Sequence, residues 1–186
     1  MVPEDLIRKC LSSENCPNLL FYGIGDIYPQ FKTILNDRFN ISNLSCKTCN
    51  NFEVYFSHIH YEINMNQIKN NNINEFNDFF EDCIVSKNYY IDSPYRIFLL
   101  KDFQNIKKHI QNSLRVMIEK YRKTTLFILF TNTFNSIIQP LQSRCLCIRI
   151  PDISHKEKIK LVRTIQPKQK TRIYDLLYNS HSTVEN

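Results

Sequence analysis

Arg96-Ile97-Phe98-Leu99-Leu100 is an unbroken apolar run bounded by Arg96 itself and by Lys101. It reads as a strand buried on both faces of a parallel sheet. Ile106, Ile110, Leu114, Met117, Ile118 and Tyr121 then mark the next helix, whose other face carries Lys107, Lys108, Arg115 and Lys120. Thr125 to Thr131 is another buried strand, and Leu146 to Ile150 a further one. Upstream, Asn18-Leu19-Leu20-Phe21-Tyr22 is a short apolar run that ends in glycine. A helix follows from about Pro29 to Arg38, because Phe31, Ile34 and Leu35 fall at helical spacing and Pro29 suits a first turn. Phe52 to Ile63 reads as one or two strands, and Lys69 to Asn74 as a polar loop. Ile73, Phe76, Phe79, Phe80, Cys83 and Ile84 form an amphipathic helical stripe, read chiefly as core and secondarily as a partner groove. This alternation predicts one α/β domain over residues 1–165, a parallel sheet between helices, and a polar tail over 166–186. Ser154 and Glu157 make a capping box for a basic helix to about Ile165.

The composition excludes several classes. Of 186 residues, 42% are hydrophobic and 23% charged, as in ordinary globular domains rather than collagen-like or wholly disordered chains. No apolar run approaches the roughly 20 residues of a membrane-spanning helix, so no membrane partner is expected. The first residues carry acid where a secretion signal needs base. Seven cysteines, an odd number, then argue for reduced thiols inside a cell. The net charge of +6 favours an acidic partner such as nucleic acid. Ala and Trp are absent while Asn, Ile, Lys, Phe and Tyr abound, a bias matching AT-rich codons and hence a compact parasite or a large DNA virus.

A strand that ends in glycine and leads through a loop to a helix is the setting of a P-loop, whose backbone amides wrap phosphates. The loop here reads Gly23-Ile24-Gly25-Asp26-Ile27-Tyr28-Pro29-Gln30. Pro29 stands at the lysine position and Gln30 at the hydroxyl position, proline offers no amide donor, and Asp26 adds negative charge beside the phosphates. Lys32 and Thr33 stand in only if the loop has gained three residues. The acidic pair that would hold and use magnesium is replaced after Ile97-Phe98-Leu99-Leu100 by Lys101-Asp102. The residues therefore predict no cofactor, with ATP bound at most weakly through Gly23, Gly25, Lys32 and Thr33.

From Arg96 to Ile150 the order is strand, turn, basic helix, strand, then Thr131-Asn132-Thr133-Phe134-Asn135-Ser136-Ile137-Ile138-Gln139-Pro140-Leu141-Gln142-Ser143-Arg144-Cys145. This passage closely resembles the small subunits of the replication factor C clamp loader, within the AAA+ ATPases. Gln111 to Tyr121, the Asn132 segment and Ser143-Arg144-Cys145 carry the match, with support from Leu19 to Gly23 and Tyr61-Glu62-Ile63-Asn64. The resemblance covers roughly residues 16 to 165 and implies an AAA+ P-loop fold. It makes Arg144 an arginine finger reaching a neighbouring subunit's ATP, and puts Asn132 at the sensor-1 position. It sets Gln111 and Arg115 where sites are coupled and DNA is faced, with Lys107 and Lys108 as phosphate contacts. Implied partners are other clamp-loader ATPase subunits, a sliding clamp and primer–template DNA, in the nucleus or at a viral replication site. The family continues through a lid into a helical collar, and Gln166 to Asn186 is too short for either, which implies both are truncated.

Weaker signals remain. Cys46-Lys47-Thr48-Cys49 is half of a zinc site that Cys10 and Cys16, or His58 and His60, could complete, although incidental or buried thiols answer the pattern too and no metal is expected. His58 and His60 alternate along a strand and so share a face. Cys145 and Cys147 read as core residues, and Asn132 as a sensor or a strand cap. The leading expectation is a non-hydrolysing clamp-loader-like subunit. Its rivals are a free-standing interaction module with an inactive AAA+ fold in a replication or repair complex, and a residual ATPase using Lys32 and Thr33.

Overall fold

Every apolar run named above is a strand in the computed structural model, which describes residues 4–13, 15–23, 27–41, 43–49, 52–68, 73–85 and 96–151. The elements are α1 (Glu4–Ser12), β1 (Asn18–Tyr22), α2 (Tyr28–Phe39), β2 (Ser45–Cys49), β3 (Phe52–Phe56), β4 (His60–Asn64) and α3 (Ile73–Val85). They continue with β5 (Arg96–Lys101), α4 (Lys108–Lys120), β6 (Thr125–Thr131), α5 (Gln139–Gln142) and β7 (Cys145–Arg149). The compact unit built by the described residues runs to Pro151. The boundary expected at 165, the capping box at Ser154 and Glu157 and the tail from 166 lie outside the described residues.

Among the described residues, seven strands form one sheet in the order β2-β3-β4-β5-β6-β1-β7. The five from β4 to β7 are parallel, with Ile97 opposite Leu126, Leu20 opposite Leu129 and Leu19 opposite Leu146. β3 and β2 extend the β4 edge as an antiparallel ribbon. Because side chains alternate along a strand, each apolar run feeds two cores at once. Leu20, Phe98, Leu100, Phe127 and Leu129 meet Phe76 and Phe80 of α3 and Ile110 and Leu114 of α4 on one face. Leu19, Phe21, Ile97, Leu99 and Ile128 meet Ile7 and Leu11 of α1 and Phe31, Ile34 and Leu35 of α2 on the other. Phe98 packs tilted on Phe80 and stacked on Phe127 at centroid distances of 4.5 and 5.5 Å, so the phenylalanine stripe is core.

Two glycines serve a chain with several tight turns, and other residues take over where φ is positive. Asn40 closes α2 at φ 50° and Asp102 ends β5 at φ 58°, both among the residue types that tolerate this region best. Gly23 cannot be replaced in this way. Its φ is +139°, and a Cβ there would lie 2.1 Å from the carbonyl oxygen of Ile150, where β7 passes.

The structure differs from the sequence reading in local ways. Of the one or two strands expected over Phe52 to Ile63 there are two, antiparallel, and His58 lies in the turn between them rather than along a strand with His60. α4 begins at Lys108, two residues after Ile106, because a 3₁₀ turn over Phe103–Asn105 intervenes. Residues 73 and 74, expected partly in a loop, open α3.

Candidate functional site

The carboxyl ends of β1, β5 and β6 converge where a nucleotide sits in open parallel sheets, and they leave a small pocket of about 280 Å³. Gly23, Tyr28, Lys101, Asp102 and Asn132 line it. Gly25 lies outside the described residues. Among the described residues, those that line the pocket do not fit ATP and magnesium. Lys101 brings a cation where the metal would need a carboxylate, and its Nζ lies 4.9 Å from the centroid of the Tyr28 ring. Lys32 Nζ is 3.1 Å from both carboxylate oxygens of Glu62. The hydroxyl of Thr33 donates to Pro29 O one turn back, at 3.1 Å. Lys32 and Thr33 thus make these polar contacts within the chain, and residues 24–26 of the loop lie outside the described residues. Asn132 is exposed just after β6, its backbone N–H donating to Gln104 Oε1 at 3.3 Å.

Beneath this pocket is a polar cluster that the sequence did not announce. Glu62 accepts from Tyr28 OH at 2.6 Å and from Lys32, and its Oε1 is 3.1 Å from His60 Nε2. With the ring proton on Nε2, fully buried His60 donates to Glu62 and accepts from Ser57 Oγ at Nδ1, 2.6 Å away. Burial pushes the Glu62 carboxyl upward, but the bonds from His60, Tyr28 and Lys32 outweigh it and bring the pKa down to about 2. His58 is exposed in the turn while His60 is buried, so the two histidines share no site.

Arg144 stands at the opposite end of the sheet. Pro140 stands in the first turn of the short helix α5, Arg144 follows the helix, and β7 begins at Cys145 beside Asn18 of β1. Arg144 Nη1 donates to Pro140 O at 2.6 Å, and Nη2 pairs with the carboxylate of Glu119 on α4. The side chain is one-third exposed at a cleft of about 550 Å³ lined by Asn15, Cys16, Asn18, Ile118, Arg122 and Ser143. β1 begins at this cleft and ends at the small pocket, about 13 Å away at about 3.3 Å per residue. Arg144 therefore faces away from its own chain's nucleotide position.

Helix α4 connects the candidate residues. Lys107, at its N-cap, and Lys108 are exposed. Arg115 lies seven residues beyond Lys108 on the same face, with Nη1 3.9 Å from Glu119 Oε1 and a buried Nε that has no hydrogen-bond partner. Gln111 corrects the expectation of a DNA contact. It is completely buried. Its Nε2 donates to Ile106 O at 3.0 Å and Ser136 O at 2.9 Å, and its Oε1 accepts from Ile138 N at 2.8 Å. Gln111 thus ties α4 to the segment that leads into α5 and Arg144. Glu119 also escaped the sequence reading, although its position four residues after Arg115 was a legible signal.

Cys46 and Cys49 lie three apart on a strand and so point to opposite faces. Cys46 is exposed, while Cys49 packs against the core. Among the described residues, no three His, Cys, Asp or Glu side chains are grouped to hold a metal. Cys145 packs against the core too, and burial, with Cys147 nearby, pushes its thiol up to about 12. No helix among the described residues is long and apolar enough to cross a membrane.

Residues 21–154 match the family model described as DNA polymerase III, delta subunit. The replication factor C small subunit of Methanothermobacter thermautotrophicus is 35% identical over 92 residues, taking in 50% of this chain and 27% of that protein. Replication factor C subunit 3 of Arabidopsis thaliana is 24% identical across 93% of this chain and 55% of its own length. The chain thus spans about half, or less, of the length of the curated relatives it matches. A DNA polymerase III gamma subunit-related protein of Thermotoga maritima superposes with a TM-score of 0.58 at 12% identity, over 90% of this chain and 51% of that one. RuvB of the same organism gives 0.53 at 10% identity, over 87% and 49%. At these identities the likeness is one of fold, and the fold is the AAA+ P-loop type.

Proposed function

This chain belongs to the family of the DNA polymerase III delta subunit, and on that premise we propose that it serves as a non-hydrolysing, clamp-loader-like subunit in DNA replication. The observation that carries this reading is the placement of Arg144 at the far end of β1 from its own pocket. A guanidinium there is useless to a nucleotide in the same chain and well placed for one held by a neighbour packed against the cleft. An arginine supplied in trans stabilises charge developing on a transferring phosphoryl group and is worth about 10³–10⁵ in rate. Lys101, Pro29 and the engaged Lys32 support the complementary half of the reading, that this chain hydrolyses no ATP of its own.

The partners are then ATPase subunits of the replication factor C type, a sliding clamp and primer–template DNA. Lys107 and Lys108 contact DNA phosphates at the start of α4. Arg115 and Gln111 carry the state of that helix toward Arg144, Gln111 through buried bonds rather than through DNA. The test is ATP turnover by replication factor C-type subunits from the same source, with clamp and DNA, in the presence of this chain or its Arg144→Ala variant. The expected result is stimulation by wild type and loss of stimulation by a variant that still assembles. If no complex forms and neither protein changes the rate, the reading is wrong and a free-standing interaction module takes its place.

A further inference from the structure

The guanidinium of Arg144 is not waiting in solvent. Glu119 pairs with Nη2, while Pro140 O and Ser143 Oγ accept from Nη1 at 2.6 and 3.4 Å. Arg122 lines the same cleft and makes no ion pair with any described residue. Among the described residues the cleft is lined by two arginines and one carboxylate, with Arg115 Nη1 also 3.9 Å from Glu119 Oε1, which leaves a positive lining with Glu119 already placed against Arg144. A carboxylate and a phosphate present the same kind of oxygen pair to the arginine fork.

We propose that Glu119 is a positioning residue that stands in for phosphate, holding Arg144 at the mouth of this cleft and yielding it to a polyphosphate brought by a neighbouring subunit. The proposal rests on the reading of Arg144 as a trans-acting finger and adds how that finger is held and released. The side chains of Arg144 and Glu119 are 33% and 45% exposed, so their pair is of the weak, solvated kind that an incoming polyanion can displace. The same pair fixes a long side chain that would otherwise spread over many rotamers. A polyphosphate gains Arg122 as a second cation on entering, which Glu119 does not reach.

The test uses the full chain and inorganic tripolyphosphate, titrated against wild type, Glu119→Gln, Glu119→Asp and Arg144→Ala. Glutamine keeps the shape and the hydrogen bond but not the charge, so Glu119→Gln should bind tripolyphosphate about threefold to fivefold more tightly, the range of a solvated ion pair. Glu119→Asp should return toward wild type, and Arg144→Ala should bind more weakly than either. In the assembled ATPase, Glu119→Gln should lower the half-saturating ATP concentration by a similar factor and leave kcat within about twofold. A merely structural glutamate would not produce that split. Unchanged tripolyphosphate affinity in Glu119→Gln, or unchanged half-saturation where Arg144→Ala has abolished turnover, overturns the proposal and leaves the finger standing. Full turnover with Arg144→Ala overturns both.

Discussion

Replacing Gln111 by methionine keeps the length of the side chain and removes its three hydrogen bonds. Ile106 O, Ser136 O and Ile138 N lose their partner. The bond to Ile106 O is fully buried, so that carbonyl is stranded without water, at about 2 kcal/mol. The other two bonds are partly buried and water can replace them in part, at about 1 kcal/mol each. The expected loss is about 4 kcal/mol, a large share of the roughly 5–15 kcal/mol by which domains are stable. Urea unfolding at neutral pH measures it as a lower midpoint at constant m. Hydrogen exchange supplies the local reading, because the amide of Ile138 is held by Gln111 alone and its carbonyl receives the Leu141 and Gln142 amides at the start of α5. Ile138 should lose protection in the variant more than core amides of β6 do. A loss below about 1 kcal/mol, or unchanged exchange at Ile138, would refute the view that Gln111 staples α4 to the Arg144 segment.

Three further outcomes are expected. The Glu62 carboxyl falls from 4.5 to about 2 on folding, so it stabilises the fold above pH 4.5 and loses that contribution as pH drops toward 2. At about 1.36 kcal/mol per pH unit this is about 3 kcal/mol, and Glu62→Gln should flatten the acid limb of a stability–pH curve; superimposable curves would contradict the network. Gly23→Ala should cost at least about 2 kcal/mol from its positive φ and its approach to Ile150 O, read as a fall in Tm, and an unchanged Tm would show that β7 moves aside freely. Lys107→Ala with Lys108→Ala should weaken primer–template binding and reduce its salt slope by about two, whereas an unaltered slope removes these lysines from the DNA interface.

The parallel core was legible because β5 and β6 are apolar on both faces and α2, α3 and α4 carry clear stripes. Strand β2 was not, since Ser45 to Thr48 are all exposed and the strand is defined by pairing Cys46 with Tyr55 and Thr48 with Glu53. Helix α1 is short, and its described buried residues are Ile7 and Leu11, too little to stand out in sequence. Arg144 was found through its neighbours in the chain, but its partner Glu119 is 25 residues upstream and only folding brings the two together. Gln111 was set at a coupling and DNA-facing position by the resemblance alone, while its place between Ile110 and Leu114 puts it in the core.

The opposed ends of β1 give the molecule a direction. A protein that offers a charge at one end and receives a nucleotide at the other can be stacked head to tail without limit, each copy completing the next. Here one end carries Arg144, while the other is lined by Lys101 and Tyr28, with Lys32 engaged by Glu62. On the function proposed above, this chain would have a successor but no predecessor. In any row of catalytic subunits it would occupy the terminal position, and the row's length would be counted from it.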